Sequence, residues 1–134
     1  MHASAPHAGD VLARGLQLEI LARFTFPPGT TPTLFGLNVL NGTGLTINIA
    51  NKEMVLGNMH GPLDDKVVAG GSIQVHMYVD HLIVTAIVNN RTAITTYVLV
   101  PGADSDAVSV FGAGSGEAVN VMVDAWTLPV ANNA

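Results

Sequence analysis

The sequence contains no cysteine among its 134 residues. Disulfide bonds, thiolate metal sites and a cysteine nucleophile are therefore excluded. Charged residues are also scarce, at 11% of the chain, whereas hydrophobic residues make up 49%. A chain this apolar does not have the composition of a disordered protein. The shortage of charge indicates that a partner covers part of the apolar surface, and we expect a homo-oligomer.

Basic residues are few as well. The chain has five Lys and Arg against ten Asp and Glu, for a net charge of −5. Such a balance does not suit the surface of a nucleic acid or of an anionic membrane, so we expect neither partner. The longest apolar runs are far shorter than the roughly 20 residues that span a bilayer. The N-terminus lacks the basic start and apolar segment of a signal peptide, and the compartment stays open.

Apolar residues recur at every second position over most of the chain. In residues 16–26, one face of an extended segment carries only apolar side chains, and the other face carries Gln17, Glu19, Arg23 and Thr25. A period of two predicts a half-buried antiparallel strand. The same pattern predicts further strands near residues 33–40, 44–50, 53–57, 72–79, 82–88, 92–100, 107–112 and 117–128.

Turn signals separate these segments. Asn41-Gly42 and Asn51-Lys52 are typical of hairpin turns, and the residues from Gly57 to Gly71 are predicted to form a loop. Short strands with regular turns predict an all-β fold, a two-sheet antiparallel β-sandwich of the concanavalin-like jelly-roll type, with a closed barrel as the alternative. We expect the sandwich over residues 15–128, a linker or disordered N-terminus over 1–14, and a tail over 129–134.

Carboxylates are the first candidates for chemistry. A sugar hydrolase needs two of them on opposite sides of the scissile bond, and no spacing among the ten acids identifies such a pair. Glu19 stands out because it lies on the polar face of a regular strand, although a surface pair with a basic residue on a neighbouring strand is favoured. The chain has no nucleophile elbow, phosphate loop or dinucleotide fingerprint, so no cofactor is expected.

Histidines and acids do not predict a metal site. His76 and Asp80 share one face of a strand, but they lie about 13 Å apart along it, which is too far to bind one ion. Asp104-Ser105-Asp106 lacks the further acids and the spacing of a calcium loop, and a solvated turn is favoured.

Trp126 is the one tryptophan of the chain. The alternation of the last strand places it with Asn120 and Asp124 on the more polar face, while Val121 and Val123 take the other. An aromatic ring on such a face can stack on a sugar ring. Core packing and sugar stacking both stay open for this side chain.

Three segments together resemble a known family. They are GLQLEILARF (15–24), YVDHLIVTAIVNNRTAITTYV (78–98), and VSVFG with VDAWTL (108–112 and 123–128). In this order they are similar to the C-terminal β-sandwich of glycoside hydrolase family 32, the invertases, inulinases and levanases. The resemblance implies an accessory domain and no enzyme activity, because the acids that cleave the substrate lie on an N-terminal propeller whose NDPNG, RDP and Glu-Cys motifs this sequence lacks.

The resemblance also implies what such a sandwich does. It supports the propeller, mediates dimerisation in some members, and in related modules binds fructans, outside the cell if the chain behaves like that family. Leu82 and Thr85 replace a Ser and a Glu of the family hairpin, and Tyr97 replaces an Arg. These replacements remove charge-assisted hydrogen bonds to a sugar. They also make the hairpin apolar on both faces, and a strand that is apolar on both faces needs a cover.

Two hypotheses follow for the function. The first is a non-catalytic module that binds a fructose-containing glycan. The second is a structural, self-associating sandwich whose sugar site has decayed. A free-standing hydrolase would need a carboxylate pair that the sequence does not reveal. The candidate ligand contacts of the first hypothesis are Glu19, Asp80, Asn89, Arg91, Asp124 and Trp126.

Overall fold

The computed structural model describes residues 2–4, 11–14, 17–39, 43–64, 70–80, 83–89, 91–97, 107–114 and 117–127. Within these residues, twelve β-strands form two antiparallel sheets of six strands each. The sheets pack as a sandwich and do not close into a barrel, so the predicted two-sheet architecture is confirmed. In the same part of the chain, no helix has the length and apolar character needed to cross a membrane.

The first sheet contains, in spatial order, β1 (His2–Ser4), β12 (Asn120–Thr127), β3 (Gln17–Thr25), β8 (Ser72–Asp80), β9 (Ile83–Val88) and β10 (Thr92–Tyr97). The second sheet contains β2 (Ala13–Arg14), β11 (Ala107–Phe111), β4 (Phe35–Val39), β5 (Thr43–Asn48), β6 (Glu53–Leu56) and β7 (Met59–Pro62). Consecutive strands β4 to β7 form one meander and β8 to β10 another, and the chain changes sheets between them.

The nine predicted strands are all present. The predicted turn at Asn51-Lys52 lies within the described residues and is present as well. At the β5–β6 hairpin, Lys52 has a φ of 52° and its amide donates to the carbonyl of Ile49. The Asn41-Gly42 turn and the tail over 129–134 lie outside the described residues.

The prediction of an unbroken loop from Gly57 to Gly71 is wrong, because β7 lies within it and pairs with β6. Gly57 has a φ of 59° at the first position of a two-residue turn, which suits a hairpin with glycine at this position. The sequence of β7 contains Gly61 and Pro62 and therefore lacks the β-branched residues that signal a strand. Proline is tolerated there because β7 is an edge strand.

The N-terminal segment contributes two short strands as well. β1 pairs with β12 and β2 pairs with β11, each at an edge of its sheet. The amide of Leu12 also donates to the carbonyl of Val108 at 2.7 Å. The expectation of a linker over 1–14 therefore does not hold at these positions. Edge strands of two or three residues pair through the backbone and need no alternation of side chains, so no pattern marked them.

The core lies between the two sheets, and β3 shows how the sequence builds it. Leu18, Ile20, Ala22 and Phe24 point inward and are buried, while the residues between them are half-buried or exposed. The ring of Phe24 lies 5.0 Å from that of Phe35 on β4, so this aromatic pair joins the two sheets. Burial of such side chains is the main source of stability in a sandwich.

One edge of the sandwich is closed by polar contacts between the sheets. Strand β10 lies beside β7, and Arg91 at the start of β10 pairs with Asp64 just after β7, with 2.5 Å between Nη1 and Oδ2. A Cβ at Gly57 would lie 3.2 Å from the hydroxyl of Thr96, which shows how closely the two sheets approach here.

Gly36 gives a test of the packing in the second sheet. A Cβ at this position would overlap the backbone carbonyl of Leu45 on β5 and would lie 3.1 Å from the ring of Phe111. We expect Gly36→Ala to lower the free energy of unfolding by about 2 kcal/mol or more, since overpacking against backbone cannot relax through a rotamer change. Gly70→Ala is the control, because open space surrounds Gly70. Urea denaturation measures both, and equal midpoints would contradict the close approach.

Candidate functional site

The outward side of the three neighbouring strands β12, β3 and β8 carries polar and aromatic residues, because their inward positions are taken by the core. We call this surface the central face. The strand register arranges its residues in three rows across the sheet: Trp126–Glu19–Tyr78, Asp124–Leu21–His76 and Met122–Arg23–Gln74. Neighbouring strands lie about 4.8 Å apart and successive rows about 7 Å apart.

The first row places a carboxylate between two aromatic residues. Trp126 on β12 and Tyr78 on β8 are the register partners of Glu19 on either side. The side chain of Trp126 is 47% exposed, and Tyr78 is half-buried. Of the two alternatives for Trp126, core packing is therefore wrong. The strand alternation contained a signal for this outcome, since Trp126 alternates with buried Val123 and Ala125.

Glu19 has a partner on the neighbouring strand. Its Oε2 lies 2.7 Å from Nε2 of His76, and both side chains are about one-third exposed, at 32% and 29%. The ring of His76 in turn stacks on that of Tyr78, with 4.6 Å between centroids and 29° between planes. The predicted surface pair of Glu19 with a basic residue is confirmed, with His76 as that residue. These contacts hold the carboxylate and one of its aromatic neighbours in place.

The other two rows enclose an open cavity of about 250 Å³. Leu21 on the middle strand and Met122 on β12 are the apolar residues of its lining. The remaining lining residues are Arg23, Gln74 and Asp124, whose side chains end in a guanidinium, an amide and a carboxylate. The cavity therefore offers hydrogen-bond donors, acceptors and apolar surface within reach of one small polar ligand.

Asp80 lies at the end of β8, on the same outward side as Tyr78. Its Oδ1 is 3.5 Å from the side-chain amide of Gln17, its register partner on β3. Asp80 thus borders the first row. The structure brings four of the six predicted residues to one surface, namely Glu19, Asp80, Asp124 and Trp126.

Asn89 and Arg91 lie elsewhere, at the turn between β9 and β10. Asn89 has a φ of 53°, and its Oδ1 accepts a hydrogen bond from the amide of Gln74 at 2.8 Å. Its own amide donates to the carbonyl of Gln74, also at 2.8 Å. Arg91 pairs with Asp64 near the second sheet. Both side chains stabilise the fold at this turn, and neither joins the central face.

Four polar or aromatic residues of the central face were not among the predicted contacts: Arg23, Gln74, His76 and Tyr78. The alternation of β8 contains the signal for three of them, because every second residue from Gln74 to Asp80 is polar or aromatic. That signal could not reveal which strands lie next to β8. Whether these residues form part of a binding surface depends on the side chains of the neighbouring strands.

The β9–β10 hairpin carries a different surface at the end away from its turn, where β9 begins and β10 ends. Ile83 and Tyr97 are register partners there, 41% and 71% exposed. Thr85 and Thr95 lie beside them with their hydroxyl oxygens 3.0 Å apart. The predicted hairpin is confirmed as apolar inside, at Val84, Ala86 and Val88, and partly apolar outside; Leu82 lies outside the described residues.

A second pair of histidine and glutamate lies on the outer side of the second sheet, where His60 Nδ1 contacts Glu53 Oε1. No third ligand joins either pair: across the described residues, no group of three or more His, Asp or Glu is placed to hold a metal ion. Asp104-Ser105-Asp106 lies outside the described part of the chain.

Comparison with known proteins places this geometry in context. The family model described as "Glycosyl hydrolases family 32 C terminal" matches residues 2–127. A comparison with curated protein sequences gives no match.

Solved structures with the same fold include enzymes and galectins. The exo-inulinase of Aspergillus awamori superposes with a TM-score of 0.68 at 16% identity over 96% of this chain, and the sucrose-6-phosphate hydrolase of Lactobacillus gasseri with 0.63 at 9% over 96%. The chain spans only 28% of each of these enzymes. The galectin LEC-6 of Caenorhabditis elegans superposes with 0.62 at 10% identity, over 93% of this chain and 95% of the galectin. At such identities the likeness shows the fold alone.

Asn89 gives a test that separates structural residues from binding residues. Asn89→Ala removes the acceptor for the amide of Gln74. It also places alanine, which tolerates a positive φ less well than asparagine, at this position of the turn. We expect the free energy of unfolding to fall by about 1–2 kcal/mol. Asn89→Gly keeps the backbone conformation and should lose less. Urea denaturation measures both variants, and an unchanged midpoint in Asn89→Ala would contradict the role given to this side chain.

Proposed function

We propose that this chain, which belongs to the C-terminal domain family of glycosyl hydrolase family 32, is a non-catalytic module. Its ligand is a fructose-containing glycan, which binds on the central face. The row Trp126–Glu19–Tyr78 is the observation that carries this proposal. It combines exposed aromatic surface with a fixed carboxylate, on strands that are held rigidly by the core beneath them.

The chemistry of the row suits a sugar. A sugar ring has an apolar face of C–H groups and an edge of hydroxyls. The exposed ring of Trp126 offers a flat apolar surface for the C–H face, and the carboxylate of Glu19 accepts hydrogen bonds from the hydroxyls. His76 contacts only Oε2 of Glu19, so the carboxylate keeps lone pairs for a ligand. Binding on such an open face should be weak, because little of the ligand surface is buried.

Hydrolysis is not part of the proposal. The family match covers the C-terminal domain, and the chain spans only 28% of each of the two enzymes on which it superposes. Their activities belong to those whole proteins. Glu19 and Asp124 lie on an open surface beside basic groups, where they are suited to accepting hydrogen bonds.

Trp126→Ala tests the proposal. We expect the variant to bind a fructose-containing glycan at least about tenfold more weakly, a loss of about 1.4 kcal/mol, because the stacking surface is gone. Isothermal titration calorimetry with fructose, sucrose, inulin and levan at millimolar concentration provides the measurement. Since Trp126 is 47% exposed, the fold should be retained.

Tyr97→Ala is the matched control. Tyr97 is an exposed aromatic residue on the outward side of the same sheet, but it lies on β10, two strands beyond β8. Its loss should leave glycan affinity unchanged. The proposal fails if the unmodified protein binds none of the four sugars, or if both variants bind as tightly as it does.

Self-association is the second candidate function, and the exposed pair Ile83 and Tyr97 favours it. Two such side chains side by side on an outer sheet face lose contact with water if a second copy covers them. Light scattering at tens of micromolar should then show a dimer or larger species. The double variant Ile83→Thr with Tyr97→Ser should shift it toward monomer, and a strict monomer before substitution would contradict this function.

A further inference from the structure

The central face is longer than one sugar ring. From Trp126 to Met122 the outward positions of β12 extend over about 14 Å, since each pair of residues adds about 7 Å to a strand. The aromatic row occupies one end of this length, and the cavity of about 250 Å³ occupies the other. A single ring on Trp126 would leave the cavity without a ligand.

The cavity has the polar groups of a sugar site in its own right. Asp124 accepts hydrogen bonds, Arg23 donates them, and Gln74 does both. Leu21 and Met122 provide apolar surface for C–H groups. None of these five side chains belongs to the aromatic row, so the cavity is a separate observation from the row that carries the proposed function.

The charges of the face point to a neutral ligand. Glu19, Asp80 and Asp124 are acids, and Arg23 is the permanently charged base among the residues described on this surface. His76 adds positive charge only when protonated. Among the described residues of this face, carboxylates outnumber guanidinium groups, which disfavours uronates, sulfates and phosphates, whereas hydroxyls can use both donors and acceptors.

We propose, resting on the proposed function, that the ligand is a neutral oligosaccharide of at least two residues that lies along β3. One ring stacks on Trp126 beside Glu19, and the next enters the cavity between Asp124, Arg23 and Gln74. Each row adds contacts. The second ring loses little further translational entropy on binding, because the bound first ring already holds it close to the surface. Affinity therefore rises with chain length until the rows are filled.

The experiment is calorimetric titration with fructose and with β-fructofuranosyl oligomers of two, three and four residues. Affinity should increase by about tenfold between one residue and three, and four residues should bind no more tightly than three. Arg23→Met keeps the apolar stem of the side chain and removes the guanidinium. It should abolish most of this increase.

Two further variants separate the parts of the proposal. Trp126→Ala should lower the affinity for every sugar by a similar factor. Thr25→Ala, on the same face of β3 but one row beyond Arg23, should change nothing. An oligogalacturonide of three residues serves as the acidic probe and should bind at least about tenfold more weakly than the neutral trimer.

The outcomes distinguish this inference from the proposed function. If fructose and its oligomers bind with equal affinity and Trp126→Ala still weakens them, the second subsite is wrong and the proposed function stands. Equal affinity for the acidic trimer would overturn the choice of a neutral ligand. If no sugar binds to the unmodified protein, both the proposed function and the inference fail.

Discussion

The pairing of β3 with β12 on one side and β8 on the other is the constraint on which the rest of the structure depends. β3 has nine residues, and its side chains alternate between the core and the outer surface. A slip of one residue in its register would turn Phe24 outward and Glu19 inward. The buried pair of Phe24 and Phe35 makes such a slip costly, so packing of the core also determines the composition of the central face.

The central face is therefore a rigid surface and not a set of loops. Its side chains stand on three long strands with buried residues beneath every second position, which limits how far the backbone can adapt to a ligand. The contacts among Glu19, His76 and Tyr78 hold the polar groups further in place. A surface of this kind suits shallow recognition of a rigid, flat-faced ligand. The exposed pair on β9 and β10 lies to one side of it, so glycan binding and self-association can be separated by mutation.

Parity along each strand made part of the site predictable. Glu19, Asp124 and Trp126 each alternate with apolar residues, so their outward direction follows from the sequence, and Asp80 follows in the same way. Asn89 and Arg91 were candidates because of their chemistry, yet both act at a turn. Asn89 replaces a backbone carbonyl as acceptor for Gln74, and Arg91 reaches Asp64 near the other sheet. Such roles depend on contacts distant in sequence, and no local pattern contains them.

Edge strands were the other part that sequence could not supply. β1, β2 and β7 pair through backbone groups over two to four residues, and their side chains need not alternate. By itself, the sequence determined the period of two, the sandwich class and the side of the strand to which each residue of β3, β8 and β12 points. Only the tertiary structure decided that these three strands are neighbours, although β3 and β12 lie about a hundred residues apart. The physical reason is that alternation specifies a face of a strand, whereas the choice of neighbour depends on how two whole sheets fill one core.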